Sequence, residues 1–176
     1  MPATALPFSR PFAVSSLRNQ GSQIAITASA KECAALAQED GLVAILRLEA
    51  DFRARRDGRT GIAISGEVRA TVTQNCVLSL EPYDCEIRVP VAARFDSAAQ
   101  PEDIAFGFED LDPPDPILEG KIDLGAVAAE FLALSLDPYP RKPDAMFLPE
   151  ELGVAAVRES PFAGLKGRIA ENDPEK

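Results

Sequence analysis

The chain has 176 residues, 46% apolar and 26% charged, which is enough to bury a core as one domain and cramped for two. A formal net charge of −10 excludes a broad basic surface for gripping nucleic acid, so any such contact must be local. There is no histidine, which removes the commonest base at neutral pH, the usual zinc ligand and every Ser-His or Cys-His nucleophile pair.

Along the chain, residues 1–7 lack a positive stretch followed by an apolar one, so no secretory signal is expected there. Short extended runs at residues 11–14 and 23–27 predict two strands, separated by Gly21. Ser29 stands three residues before Glu32, the spacing at which the two side chains satisfy each other's free amides at a helix start. A helix over residues 30–40 is therefore predicted, with Cys33, Leu36 and Ala37 on its apolar stripe and Gly41 to end it.

From residue 44 to residue 96 the apolar period becomes two, which predicts a three-stranded antiparallel meander with one buried face and one wet face. The first strand should turn Leu46, Leu48, Phe52 and Ala54 inward, and the second Ile62, Ile64, Val68, Ala70 and Val72. The third should turn in Cys85, Ile87, Val89, Val91 and Phe95. Register follows from charge. Setting Glu49 opposite Glu67 would oppose like charges, whereas Glu49 opposite Arg69 leaves Gly58-Arg59-Thr60 as a three-residue loop. The second turn is expected within residues 79–84.

Residues 97–119 are expected to form an acidic, proline-rich loop. Glu109, Asp110, Asp112 and Asp115 lie in it, and between residues 101 and 119 there is no Lys or Arg. Ile104, Phe106 and Phe108 are candidates for a short strand that anchors it. Asp123 then reads as the N-cap of a helix over residues 124–136, with Leu124, Val127, Phe131 and Leu134 as its stripe and Leu132 and Leu136 widening it. The prolines of Asp137-Pro138-Tyr139-Pro140-Arg141-Lys142-Pro143 end the helix and hold the next segment extended. The longest run of low polarity falls short of a membrane span, and no membrane association is expected.

Three cysteines at unrelated spacings, Cys33, Cys76 and Cys85, fit a reduced cytoplasmic protein. The acidic run lacks the glycine and spacing of a calcium loop, and no phosphate-binding glycine motif occurs. No catalytic residue, metal or cofactor is therefore expected. The arginines of residues 44–96 are balanced by acids except at the first hairpin tip, where Arg53, Arg55, Arg56 and Arg59 make a local basic patch suited to phosphate. Tyr139, Arg141 and Lys142 are further candidates for RNA or partner contact, and the acidic loop for a basic partner.

The stretch Gln74-Asn75-Cys76-Val77-Leu78-Ser79-Leu80-Glu81-Pro82 resembles the alphaproteobacterial branch of the YceD-like family of large-subunit ribosomal RNA accumulation proteins. In the same order follow Gly120-Lys121-Ile122-Asp123-Leu124, the run from Leu132 through Asp137-Pro138-Tyr139-Pro140-Arg141, and Ser160-Pro161-Phe162-Ala163, with Phe8-Ser9-Arg10-Pro11 at the front. The resemblance implies a non-enzymatic role in 23S rRNA processing or large-subunit assembly, with ribosomal RNA or a ribosomal or assembly protein as partner. Many relatives carry a Cys-x-x-Cys where this chain has Cys76-Val77-Leu78-Ser79, so a structural zinc is not expected. Together these readings predict an α+β fold: an antiparallel meander covered on one face by two main helices, in a single domain over residues 1–165 with a flexible tail over 166–176.

Overall fold

The computed structural model describes residues 6–99 and 113–145. It divides into two compact units, Met1–Lys142 and Pro143–Lys176, and the first carries every described strand and helix. The expected domain end near residue 165, the tail, and the strand expected around Ile104 to Phe108 lie outside the described residues.

The architecture is α+β. Strands β2 (Ser22–Thr27), β3 (Ala44–Asp57), β4 (Gly61–Asn75) and β5 (Pro82–Asp96) form an antiparallel sheet, and β6 (Asp115–Pro116) adds a short parallel fifth strand to β5. A two-stranded sheet pairs β1 (Pro11–Ala13) with β7 (Lys121–Asp123). Helix α1 (Ala30–Glu39) packs on β3 and helix α2 (Leu124–Ser135) on β4 and β5. Both helices feed one core, in which Leu48, Ile62, Ile64, Val68, Val72, Leu124 and Leu132 are almost wholly sealed from solvent.

The register is the one charge required: Glu49 lies opposite Arg69, and Asp57 pairs with Gly61 across Gly58-Arg59-Thr60, with Gly58 at a φ of 71°. That register also sets Asp51 opposite Glu67, a like-charged pair. Arg69 relieves it, bonding Asp51 diagonally and approaching Glu67 to 3.6 Å.

At the start of β3 the structure differs from the expected alternation. A bulge between Ile45 and Arg47 inserts Leu46 as an unpaired residue, so Ile45 is buried and Leu46 is 58% exposed. Both residues are apolar and only the bulge decides which one enters the core. Ile45→Ala is therefore expected to cost about 2–5 kcal/mol in urea unfolding, and Leu46→Ala no more than about 0.5 kcal/mol. Equal losses would contradict the bulge. In α2 the predicted stripe is likewise shifted: Leu134 is 76% exposed, while Gly125 and Ala128 join Leu124, Val127 and Leu132 among the buried residues. The second turn starts earlier than expected, at Cys76, directly after β4.

Phe8, Ser9 and Arg10 lock the unit together. The Asp123 carboxylate caps α2 through the amides of Gly125 and Ala126 and also accepts the Arg10 amide at 2.7 Å, while the Leu124 amide donates to the Arg10 carbonyl. The Arg10 guanidinium forks onto Glu32 of α1 at 2.7 and 3.0 Å. Glu32 at the same time closes the capping box with Ser29. These bonds hold the Glu32 carboxyl down at about 2, the Arg10 bond first and those from Ser29 next. A carboxyl depressed in the folded state stabilises above its ordinary value of 4.5, and that stability is lost as pH falls toward about 2. Glu32→Gln is thus expected to cost about 1–2 kcal/mol at neutral pH, and the gap in melting temperature from the parent should shrink steadily below pH 4.5. A pH-independent gap would contradict this role.

Candidate functional site

The residues singled out in the sequence fall at opposite ends of β4. Fifteen strand residues separate the hairpin tip from the Cys76 turn, which at about 3.3 Å per residue is roughly 45 Å. They do not form one site.

At the tip end, Arg53, Arg55, Arg56 and Arg59 are all exposed, and none has an ion pair or side-chain hydrogen bond among the described residues. Arg53 and Arg55 stand on the wet face opposite Ser65 and Ala63, and Ala63 is in turn opposite Arg94 of β5. Small neighbours on β4 thus leave the guanidinium groups standing clear. The aliphatic stem of Arg55 lies against Gly21, where an added Cβ would come within 3.0 Å of it. Arg56 pairs with Ile62 and therefore points to the other side of the sheet, and Arg59 rides on the loop. The four charges fan around the tip rather than lining one face.

Carboxylates adjoin them. Asp96, opposite Gly61, accepts a bond from the Thr60 hydroxyl at 3.1 Å, and the Ser97 amide reaches the Thr60 carbonyl. Asp115 is exposed on β6, paired to Phe95. The roots of the acidic run are therefore fixed beside the arginine tip, while Glu109, Asp110 and Asp112 lie outside the described residues.

The other end is built on the Cys76 turn. The Leu80 amide bonds the Cys76 carbonyl at 2.8 Å and the Cys76 amide bonds the Glu81 carbonyl at 2.9 Å, with Leu80 in the left-handed region at a φ of 60°. The Cys76 thiol is fully buried, yet it stands outside the main core cluster, enclosed by its own turn and the passing chain. It accepts the Ser79 amide at 3.5 Å. The Ser79 side chain foremost, then the amides of Ser79, Lys142 and Leu78, bring its pKa down to about 6. Ser79 thus occupies, by donating to the sulfur, the place of a second cysteine. All three cysteines are free, and among the described residues no group of three or more metal-ligating side chains stands together.

The extended segment after α2 is tied to this turn: the Val77 amide donates to the Pro140 carbonyl at 2.9 Å and the Lys142 ammonium bonds Glu81 at 3.3 Å. Lys142 is accordingly engaged within the domain, whereas Arg141 is exposed and Tyr139 is 71% exposed. With exposed Leu80 and Val77, Tyr139 gives this end an apolar contact surface. Sequence reasoning did not bring Cys76 to Ser79 together with Pro140 to Lys142, because the pairing is long-range and leaves no local periodicity.

No described helix is long and apolar enough to cross a membrane. A search of curated proteins and a search of solved structures each find no match. A family model described as "Large ribosomal RNA subunit accumulation protein YceD" matches residues 64–167, and the chain belongs to that family.

Proposed function

We propose that this YceD-family chain sustains accumulation of large-subunit ribosomal RNA without catalysing a reaction, by holding a stretch of 23S rRNA backbone on the arginine end of its sheet. Family membership implies the role in large-subunit rRNA accumulation, in a family without a known catalytic activity. One observation supports the mechanism: Arg53, Arg55, Arg56 and Arg59 are exposed and without a carboxylate partner among the described residues, in a chain whose net charge is −10. Arginine forks suit phosphate, and contacts of this kind position RNA without reading its sequence. Tyr139 and Arg141, at the far end of β4, serve as a second contact for the same RNA or for a ribosomal or assembly protein. The cytoplasm is the compartment such a role requires, and the Cys76 to Pro82 stretch favours the alphaproteobacterial branch.

A second reading rests on Asp115, whose strand pairing fixes one root of the acidic run beside the tip. In that reading the acidic loop holds a basic protein partner and the effect on RNA is indirect. Pull-down from a lysate with and without nuclease separates the two. Direct binding predicts large-subunit rRNA on the tagged chain when nuclease is left out. The adaptor predicts a protein partner that survives nuclease and no retained RNA.

A further inference from the structure

Between the two helices runs a groove unlike either end of β4. Its floor is apolar: Leu36 of α1 and Ala126, Ala129 and Ala133 of α2 line it together with residues 6–8 of the entering chain, and the alanines leave room for a side chain from outside. Its rim carries Glu39 and Asp40 from the end of α1 and Glu130 from α2, and among the described residues no lysine or arginine lines it.

The placement of those acids is costly for the fold. A helix C-terminus already carries negative partial charge and is normally matched by basic residues. Here Glu39 is the last residue of α1 and Asp40 its C-cap, with nothing basic in the last turn. Glu130 adds a third carboxylate across the groove, and none of the three has an ion-pair partner among the described residues. Burial, then the neighbouring Glu39, pushes the Asp40 carboxyl up, as expected where negative charge is crowded and left without a cation. Such a surface repels RNA phosphate and matches a cationic segment with an apolar anchor.

We infer that the α1–α2 groove docks a basic amphipathic segment of a large-subunit ribosomal protein, with an apolar side chain on the alanine floor and lysine or arginine groups on Glu39, Asp40 and Glu130. The identity of the partner class rests on the large-subunit role proposed above. The groove's chemistry then assigns the two partners to separate surfaces, RNA to the arginine tip and protein to the helices.

The test uses the full chain, immobilised, with RNA-free proteins extracted from purified large subunits and, separately, a synthetic lysine- and leucine-bearing amphipathic peptide of roughly 20 residues. Two variants are compared with the parent: Glu39→Lys with Glu130→Lys, which reverses the rim, and Ala133→Trp, which fills the floor at an exposed position. Thermal melts confirm that each is folded. Both are expected to lower capture of ribosomal proteins and peptide by about tenfold or more. Capture that both folded variants leave undiminished, or no capture by the parent, overturns the groove as the docking site. Retention of 23S rRNA by the parent is measured alongside. Its presence with undiminished capture strikes only the groove, and its absence strikes the RNA-holding reading itself.

Discussion

A Gly66→Val chain is expected not to reach the native state, and Gly66→Ala to lose at least about 3 kcal/mol of stability. Gly66 sits in the middle of β4, paired to Phe52 on one side and Val91 on the other. A Cβ added there would fall on the Asp51 carbonyl oxygen and lie 3.0 Å from the Phe52 Cα. These neighbours are backbone atoms, so no rotamer change relieves them. β3 cannot retreat as a whole either, because Ala50 and Phe52 beside that carbonyl are buried and laddered to β2 as well as β4. Glycine within a strand marks such close backbone approach. Gly58, by contrast, has open space around its missing Cβ and only its φ of 71° against substitution, so Gly58→Ala should cost about 1 kcal/mol. Urea denaturation of both variants checks the contrast. A Gly66→Ala chain as stable as Gly58→Ala would mean that β3 and β4 do not approach as described.

The second large effect concerns binding. Changing Arg53, Arg55, Arg56 and Arg59 together to alanine is expected to weaken retention of 23S rRNA fragments by about 100-fold or more at low salt, across unrelated fragment sequences. The uniformity follows from chemistry: guanidinium groups that contact phosphate fix position and carry no base preference. Folding should be little affected, since all four side chains are exposed and without partners among the described residues. Tyr139→Ala should weaken binding less, because it removes one contact at the opposite end of β4 and no charge. Melting temperatures within a few degrees of the parent confirm that lost retention is a surface effect.

Much of the fold was legible because its determinants are local or periodic. Ser29 and Glu32 announce α1, Asp123 announces α2, and the alternation through β4 places Ile62, Ile64, Val68, Ala70 and Val72 in the core where they are found. Charge at Glu49, Glu67 and Arg69 sufficed for the register. Ile45 and Leu46 were not separable, because adjacent apolar residues fit either phase and the bulge between them has no composition of its own. Leu134 misled for a related reason: in a helix apolar nearly all round, the stripe that packs is chosen by the partner surface.

The candidate sites were less legible. Exposure of the tip arginines follows from their place around a hairpin, but the roughly 45 Å that separates them from Tyr139 follows from strand length and could not be weighed residue by residue. The family-like motifs proved to do structural work: Arg10 and Asp123 bind the two helix starts, and Pro140 and Lys142 close over the Cys76 turn. The groove between α1 and α2 did leave a trace, Glu39-Asp40 at a helix end with no nearby base. Only Ala126, Ala129 and Glu130 give that trace a meaning, and they are brought there by tertiary packing.

The central claim is that an acidic chain of the YceD family holds ribosomal RNA through a local arginine tip. Its most direct test is the salt dependence of 23S rRNA binding, measured for the purified parent and for the chain with Arg53, Arg55, Arg56 and Arg59 changed to alanine. Four phosphate contacts predict a log–log slope for the parent of about −3, which the variant should lose almost entirely. Parent and variant with the same slope, or a parent that binds no RNA at low salt, would contradict the claim and leave the adaptor reading in its place.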